Sequence, residues 1–454
     1  MSTITVTDQN GKRVDKNNAT VAEGNKKLQI DPEDLGSGTY TVEWKALATD
    51  QHTMKGKFIL KVAIAEKASN ISTPTQTPSQ TNAQTSAPSP QAAESTEESG
   101  STWMMSLVRW LQYLAMMSLV GGFSLRLLVV GPALRADGGA VSIAERSEAL
   151  AVGQRRFLFL SWASMVLLVI TTLIALVQQA SAVFDKTIGE SLSPSVLSEV
   201  LTKTGYGGAW FLQVVTAFAL MIILLLLGLG LKGAPAKEHT AIWWAALLIG
   251  VVLVIAPSWT GHAAAAIKDF RLAVVTDWLH LVAGAFWMGG LFHLALITRP
   301  ILRGLDRTKR AGVLHQIVRL FTRVAIPTVV LLVFAGLYNT WVHVDSFGAL
   351  WFTAYGRTLL LKLLLVVLML VLGGINNFHF GTKAARLSES QEGEEVSQEH
   401  SKLETGFSRS VILEAALGVA VLLVTAILVF QTPARSHPIM TSSKAESTLV
   451  QKRK

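Results

Sequence analysis

The sequence predicts a mainly α-helical membrane protein, a bundle of eight transmembrane helices preceded by a small antiparallel β-sandwich module. Half of the 454 residues are hydrophobic and only 16% are charged, against about 25% in a typical soluble domain. Apolar runs of about 20 residues, the length that crosses a bilayer, recur through the last three-quarters of the chain. The first 65 residues instead alternate between apolar and polar side chains, which is typical of half-buried strands.

The amino-terminal residues 1–66 predict a module of four or five antiparallel strands. Turn-forming sequences at 8–11 and 36–38 separate the apolar runs, because Asp, Asn, Gly and Ser favour chain reversal. This length is short for a closed β-sandwich, so we expect an incomplete sandwich with an unpaired edge strand. The alternating apolar positions are Tyr40, Val42, Trp44 and Ala46, followed by Phe58, Leu60 and Val62.

A linker joins this module to the membrane part. Residues 67–102 consist mainly of Ser, Thr, Gln, Pro and Ala, with a few acidic residues near the end. Such a composition cannot bury a hydrophobic core. We therefore predict a disordered, flexible tether.

Eight apolar runs predict the membrane domain, which we place at residues 103–434. The fourth run contains Pro257, which predicts a kink because proline cannot donate a backbone hydrogen bond within a helix. The expected spans are 103–130, 157–180, 208–231, 241–264, 272–298, 322–343, 356–376 and 410–430.

The distribution of Lys and Arg predicts which loops face the cytoplasm. One alternate set of loops carries 17 Lys and Arg residues and the other set carries 4. The basic loops are cytoplasmic by the positive-inside rule, so the β-module and a tail at 435–454 are extracytoplasmic in a multi-pass plasma-membrane protein. The basic loops are 132–156, 232–240, 299–323 and 377–409. Tryptophans expected to form an outer aromatic belt are Trp103, Trp210, Trp259, Trp278, Trp341 and Trp351.

The fifth run carries ionisable residues within an otherwise apolar segment. Asp277 and His280 lie one turn apart near its outer end, because residues three or four apart share a face of a helix. Ionisable groups inside a membrane span are costly, which makes them candidates for function. The stripe on this face contains Asp277, His280, Gly284, Trp287, Met288 and Leu291.

Three histidines fall at a similar depth in the outer half of the bundle. His262 ends the fourth run, His280 lies about two turns into the fifth, and His343 ends the sixth. Imidazole is a good copper ligand, and in a chain without cysteine the soft ligand must be methionine. A single boundary histidine is usually interfacial and a membrane methionine usually packs, so the site requires the three histidines to face one another. The predicted metal ligands here are His262, His280, His343, Asp277, Met116, Met117 and Met288.

Two further ionisable residues lie inside spans, and each has a structural explanation. Lys362, about two turns into the seventh run, either snorkels outward or pairs with Asp277. Glu414, one turn into the eighth run, could pair with Arg409 or Arg323.

Other features near the predicted cytoplasmic ends are explained by packing or by surface contacts. Surface or headgroup contacts account for His293, His315 and His379. The pairs Gly289-Gly290 and Gly373-Gly374 predict close approach of neighbouring helices.

Residues 38–62, with the sequence GTYTVEWKALATDQHTMKGKFILKV, resemble the second half of the CopC family of extracytoplasmic copper-binding β-sandwiches. The resemblance implies that Asp50 and His52 bind Cu(II), for which a carboxylate and an imidazole are suitable. Gln51 departs from the small residue expected between them, and without the resemblance this segment indicates a surface turn. The family's amino-terminal histidine and signal peptide have no counterpart, so we expect a truncated CopC-type domain.

Several motifs of the membrane part resemble the CopD copper-resistance family. They are GHA at 261–263, HLVAGAFWMGGL at 280–291, YGRTLLLK at 355–362 with Asn376, LEAALG at 413–418, and Thr432-Pro433. A β-module tethered to such a bundle resembles the CopC–CopD fusion proteins. The resemblance implies copper transport across the cytoplasmic membrane, generally import, with Cu(II) at the β-module. The softness of thioethers predicts passage as Cu(I) along the methionines.

The sequence has no GxxxxGK[ST] phosphate loop, which excludes direct drive by ATP through that motif. We expect a transporter and not an enzyme, with an extracytoplasmic copper chaperone or reductase as partner and no nucleic acid. Three alternatives stay open. A haem-binding b-type oxidoreductase would show a Soret band, a copper sensor or scaffold would accumulate copper normally after His280→Ala, and a transporter of another divalent ion would show competition by Zn(II) or Ni(II).

Overall fold

Five strands form a small β-module and eight long helices form a membrane domain, which confirms the predicted fold class. The structure is a computed structural model, and it describes residues 3–16, 19–22, 27–30, 35–47, 53–62, 98–135, 141–230, 240–265, 269–344, 346–390 and 394–431.

The β-module contains a three-stranded antiparallel sheet of order β1-β4-β5 and a separate ribbon of β2 and β3. Val6, Tyr40 and Val42 are buried together, as the alternation in β4 predicts. The alternation in β5 buries less, since Phe58 is 44% exposed and Leu60 is 38% exposed, and only Val62 of its three predicted positions packs against this cluster. Among the described strands β5 pairs only with β4, so its far edge is open. The strands are β1 Thr3–Thr7, β2 Thr20–Ala22, β3 Lys27–Gln29, β4 Gly38–Leu47 and β5 Thr53–Val62.

Eight helices are long and apolar enough to cross a membrane, the number predicted. Spans 1 to 8 are Thr102–Ala133, Ile143–Phe184, Gly205–Leu229, Thr240–Thr260, Phe270–Arg303, Arg307–His343, Ala354–Glu389 and Gln398–Val429. The connecting elements are short helices at Ile188–Ser191, Pro194–Lys203 and Phe347–Phe352 and a 3₁₀ turn at His262–Ala265. Spans 2 and 6 begin well before their predicted apolar boundaries, because polar helical turns extend them.

Four spans are not continuous α-helices. Span 4 breaks between Thr240–Leu253 and Ile255–Thr260, which confirms the predicted kink. The break occurs because Pro257 has no N–H to donate to the carbonyl group of Leu253, four residues earlier. Single π-helical turns, which are frequent at functional sites, interrupt spans 1, 5 and 7 at Arg126–Val130, Ala285–Gly289 and Asn376–Gly381.

Span 1 lies at the centre of the bundle and touches span 5 backbone to backbone. A Cβ atom on Gly289 would lie 1.8 Å from the carbonyl oxygen of Met117, and one on Gly121 would lie 2.1 Å from the carbonyl carbon of Gly289. The close packing predicted for Gly289 is therefore confirmed. Gly374 behaves differently, because a Cβ there would meet nothing within 4 Å.

Only part of the predicted aromatic belt faces outward. Trp103 and Trp341 are 60% and 73% exposed, and Trp259 and Trp351 are exposed as well. The other two tryptophans turn inward, which corrects the prediction for them. The indole nitrogen of Trp278 donates to Val251 O at 2.9 Å, and that of Trp210 donates to Thr172 O at 3.4 Å.

The β-module contacts the end of span 2 through two lysines. Lys45 and Lys55 lie opposite one another on β4 and β5, and their Nζ atoms lie 2.6 and 2.5 Å from the carboxylate of Asp185. Lys45 also donates to Val183 O at 2.7 Å. We call these contacts the Asp185 latch, and the end of the bundle that carries it the outer end.

Candidate metal site

Asp277 and His280 lie on span 5 near the outer end, one turn apart on the helix Phe270–Gly284. The imidazole of His280 packs against span 6, where a Cβ on Gly336 would lie 3.4 Å from its Cε1 atom. Its Nδ1 atom is buried and has no hydrogen-bond partner among the described residues. Asp277 Oδ1 accepts a hydrogen bond of 3.3 Å from Asn339 on span 6. The pair is thus held at the junction of spans 5 and 6.

Span 7 completes this polar cluster. Lys362 lies within electrostatic range of both Asp277 and His280, but no ion pair joins it to Asp277 among the described residues, so pairing and snorkelling both stay predictions. Tyr113 on span 1 and Tyr355 on span 7 also lie within electrostatic range of Asp277. A carboxylate, an ammonium and an imidazole with an unpartnered nitrogen therefore meet inside a largely apolar bundle.

His343 lies further out than His280. It is the last residue of span 6, seven residues beyond Gly336, so its Cα lies about 10 Å further along the helix at a rise of 1.5 Å per residue. The spacing also places it on the same helix face as Gly336. Asn339 and Asp277 lie at the level between the two histidines.

His262 begins the 3₁₀ turn that follows span 4, and its side chain lies outside the described part of the structure. The next residue, Ala263, packs with Ala273 and Val274 of span 5 and with Tyr338 of span 6. The backbone of His262 is therefore beside the outer ends of both spans. Among the described side chains, no group of three or more His, Asp or Glu residues could hold a metal ion, so the three-histidine site stays a prediction.

The predicted methionines divide into two groups. Met116 and Met117 are fully buried in the core of span 1. Met288 faces span 8, where a Cβ on Gly418 would lie 3.6 Å from its Cγ atom and 3.5 Å from the Cε atom of Met369. Sequence reasoning missed Met369, although it lies seven residues from both Lys362 and Asn376, a spacing that places all three on one face of span 7.

His293 is a buried residue, which corrects its interpretation as a surface group. It is 0% exposed and lies between spans 1 and 2. Its Nε2 atom is 3.3 Å from Ser118 Oγ, which accepts a hydrogen bond of 2.9 Å from Ser164 Oγ. Its ring packs against Phe157 with centroids 5.2 Å apart. The arginines nearby in the sequence suggested a helix end, whereas span 5 continues to Arg303.

Glu414 is also buried, at 2% exposure, and does not pair with an arginine. Its Oε2 atom accepts a hydrogen bond of 2.7 Å from Asn376 Nδ2, and the indole of Trp287 interacts electrostatically with the carboxylate. The candidate partners Arg409 and Arg323 are exposed. A cavity of about 290 Å³ between spans 5, 6, 7 and 8 is lined by all three interacting residues.

Asp50 and His52, the ligands implied by the CopC resemblance, lie outside the described residues. They fall between β4 and β5, whose ends at Leu47 and Thr53 pair with one another.

Models of known protein families match most of the chain. Residues 1–63 match the CopC domain, residues 99–269 match the N-terminal domain described as copper resistance protein D-like, and residues 315–428 match copper resistance protein D. The chain is a CopC–CopD fusion. The whole of span 5, with Asp277, His280 and Met288, lies between the two membrane-domain matches.

The fusion is also similar to one curated protein over most of its length. It is 27% identical over 426 residues to the copper transport protein CutJ of Bacillus subtilis (strain 168), covering 93% of this chain and 66% of CutJ. The chain thus spans just under two thirds of the length of that relative. No solved structure matches it.

Proposed function

We propose that this CopC–CopD fusion moves copper across the cytoplasmic membrane as a transporter, in the inward direction. The observation that carries the proposal is the environment of His280. Its Nδ1 atom is buried without a partner in the described structure, beside Asp277 and within a membrane bundle. An unpartnered buried imidazole nitrogen costs free energy, and a bound metal ion would offset that cost. His280 and Asp277 form the core of the outer site, and His262 and His343 complete it.

Delivery to this site starts at the β-module, which captures Cu(II) at Asp50 and His52. The Asp185 latch holds the module at the end of the bundle that carries the outer site. With the excess of basic residues in the opposite loops, this arrangement supports an extracytoplasmic position for the module and the tail. An extracytoplasmic chaperone is the expected source of copper.

The residues proposed to carry copper inward from the outer site are methionines, whose thioethers are soft ligands. Thioethers favour Cu(I) over Cu(II), so copper leaves the outer site as Cu(I) after reduction by an external reductase. Met116, Met117 and Met288 then carry it inward. The described spans contain no other soft ligand type, because the chain has no cysteine.

Uptake of radioactive copper into cells tests the proposal. Cells that express His280→Ala should lose most of the copper accumulation seen with the wild type. His379→Ala is the matched control, because His379 is a histidine of span 7 that is exposed and distant from the outer site in sequence and depth. Equal accumulation in all three strains, at equal protein levels, would contradict transport through His280. Inhibition by Zn(II) or Ni(II) would show another divalent cargo.

A further inference from the structure

Gly418 on span 8 leaves a gap between two methionines. A Cβ placed there would lie 3.5 Å from Met369 Cε, 3.6 Å from Met288 Cγ and 3.6 Å from a ring carbon of Phe292. Both thioether sulfurs are one bond away from the atoms that border this gap. Met369 is 0% exposed and Met288 is 8% exposed. Two buried methionines, one from span 5 and one from span 7, therefore pack around Gly418, where span 8 contributes no side chain.

A carboxylate lies one helical turn from the same gap. Glu414 and Gly418 are four residues apart on span 8, which places them on one face. The carboxylate accepts a hydrogen bond from Asn376 Nδ2, so it is oriented as an acceptor. A carboxylate inside a membrane domain is costly unless it is neutralised, and the partners described for Glu414 are neutral.

Asn376 adds an independent sign that a group is missing here. It is 7% exposed, its Nδ2 atom is used by Glu414, and its Oδ1 atom is buried with no partner among the described residues. Buried polar atoms are nearly always satisfied. The cavity of about 290 Å³ borders Asn376 and Glu414, and neither Met288 nor Met369 lines it, so it gives room for water beside the carboxylate.

The helix geometry connects this place to the outer site. Lys362, Met369 and Asn376 follow one another at seven-residue intervals on span 7 and so share one face. Lys362 faces the Asp277–His280 pair, Met369 faces the Gly418 gap, and Asn376 faces Glu414.

We propose that Met288 and Met369 form a second metal site in the middle of the membrane domain, with Glu414 as its compensating negative charge. The ligand is a soft monovalent cation, Cu(I), for which thioethers are suited. One cation and one carboxylate make the site electrically neutral within the apolar bundle. The proposal rests on the proposed copper transport and adds to it a second binding site, further inward than His280.

Packing is the competing explanation, since methionine is a common filler of irregular cores. Ligation and packing differ in one observable, which is a metal–sulfur bond. The chain has 11 methionines and no cysteine, so any copper–sulfur signal must come from methionine.

X-ray absorption spectroscopy on the full-length protein in detergent, loaded anaerobically with Cu(I), tests the site. The double variant Met288→Leu with Met369→Leu should lose about one bound copper per chain and the sulfur scattering of that copper, while scattering from copper at Met116 and Met117 persists. The matched control is Met165→Leu, a fully buried methionine of span 2, which should keep both. Exchange of Met for Leu preserves volume and usually costs less than about 1.5 kcal/mol. Copper retained on imidazole in the double variant shows that it is folded.

Glu414→Gln should keep the sulfur shell and weaken Cu(I) binding at least tenfold, because it removes the charge and keeps the shape. Glu404→Gln, on the same helix outside this site, should bind as the wild type does. A sulfur shell absent from the wild type, or unchanged in the double variant, would overturn the inner site. Those results would not contradict copper uptake through His280. Conversely, a wild-type sulfur shell in a protein that supports no copper uptake would refute transport and leave the inner site standing.

Discussion

Asn376 Nδ2 donates a hydrogen bond of 2.7 Å to Glu414 Oε2 and joins spans 7 and 8 inside the bundle. Removal of one partner leaves the other buried and unsatisfied, which costs about 1–3 kcal/mol. Asn376→Leu and Glu414→Leu should each destabilise the protein, and the double variant should lose less than the sum. A double-mutant cycle of unfolding in denaturing detergent measures this coupling, and additive losses would show that the two residues do not interact.

Alanine substitutions at Gly289 and at Gly374 should have opposite effects on the stability of the protein. Gly289→Ala places a methyl group against the carbonyl oxygen of Met117 at 1.8 Å, so spans 1 and 5 must separate, at a cost of about 1–3 kcal/mol or more. Gly374→Ala meets nothing within 4 Å and should gain up to about 1 kcal/mol from helix propensity. Thermal unfolding of the two variants compares them directly. Similar melting temperatures would contradict the backbone contact.

The Asp185 latch should depend on pH only in acid. Burial raises the pKa of Asp185, but the hydrogen bonds from Lys45 and Lys55 outweigh it, so the pKa lies below its ordinary value. A carboxylate with a lowered pKa stabilises the docked state above the pKa of the undocked form and loses this contribution as the pH falls through the docked pKa. Docking should therefore be constant near neutral pH and weaken below the usual Asp range.

Hydrogen exchange of β4 and β5 at several pH values measures this docking. Asp185→Asn should give faster exchange at neutral pH and remove the acid dependence. Glu43→Gln is the control, because Glu43 pairs with Lys57 within the module and does not touch span 2 in the described contacts. Unchanged exchange in Asp185→Asn would show that the latch does not hold the module.

Membrane orientation can be tested with single cysteines, because the native chain has none. We expect Ser442→Cys to react with an impermeant maleimide in intact cells and Ser388→Cys to react only after the membrane is opened. The basis is the excess of Lys and Arg in the loops at one side of the bundle. The reverse labelling pattern would invert the topology and move the outer site to the cytoplasm.

The sequence was sufficient for features that depend on one helix at a time. Apolar runs predicted the eight spans, and Pro257 predicted the break in span 4. Each of these follows from periodicity or backbone chemistry within a single segment.

Features that depend on contacts between two helices could not be predicted from the sequence of either helix alone. The rotation of each span about its axis is set by its neighbours, so neither the burial of His293 nor the partners of Glu414 followed from their own segments. The spacing of Lys362, Met369 and Asn376 was visible in the sequence. The sequence did not show that Gly418 of span 8 lies opposite Met369. The space beside Met369 exists because Gly418 has no side chain.

The Asp185 latch changes the concentration regime in which the two domains meet. Because the module is tethered and docked, its effective concentration relative to the bundle is in the millimolar range. Two separate proteins would instead encounter one another at their cellular concentrations. Exchange between module and bundle is then a first-order process within one chain. A free copy of the module, lacking the tether, would compete only at concentrations near that millimolar value.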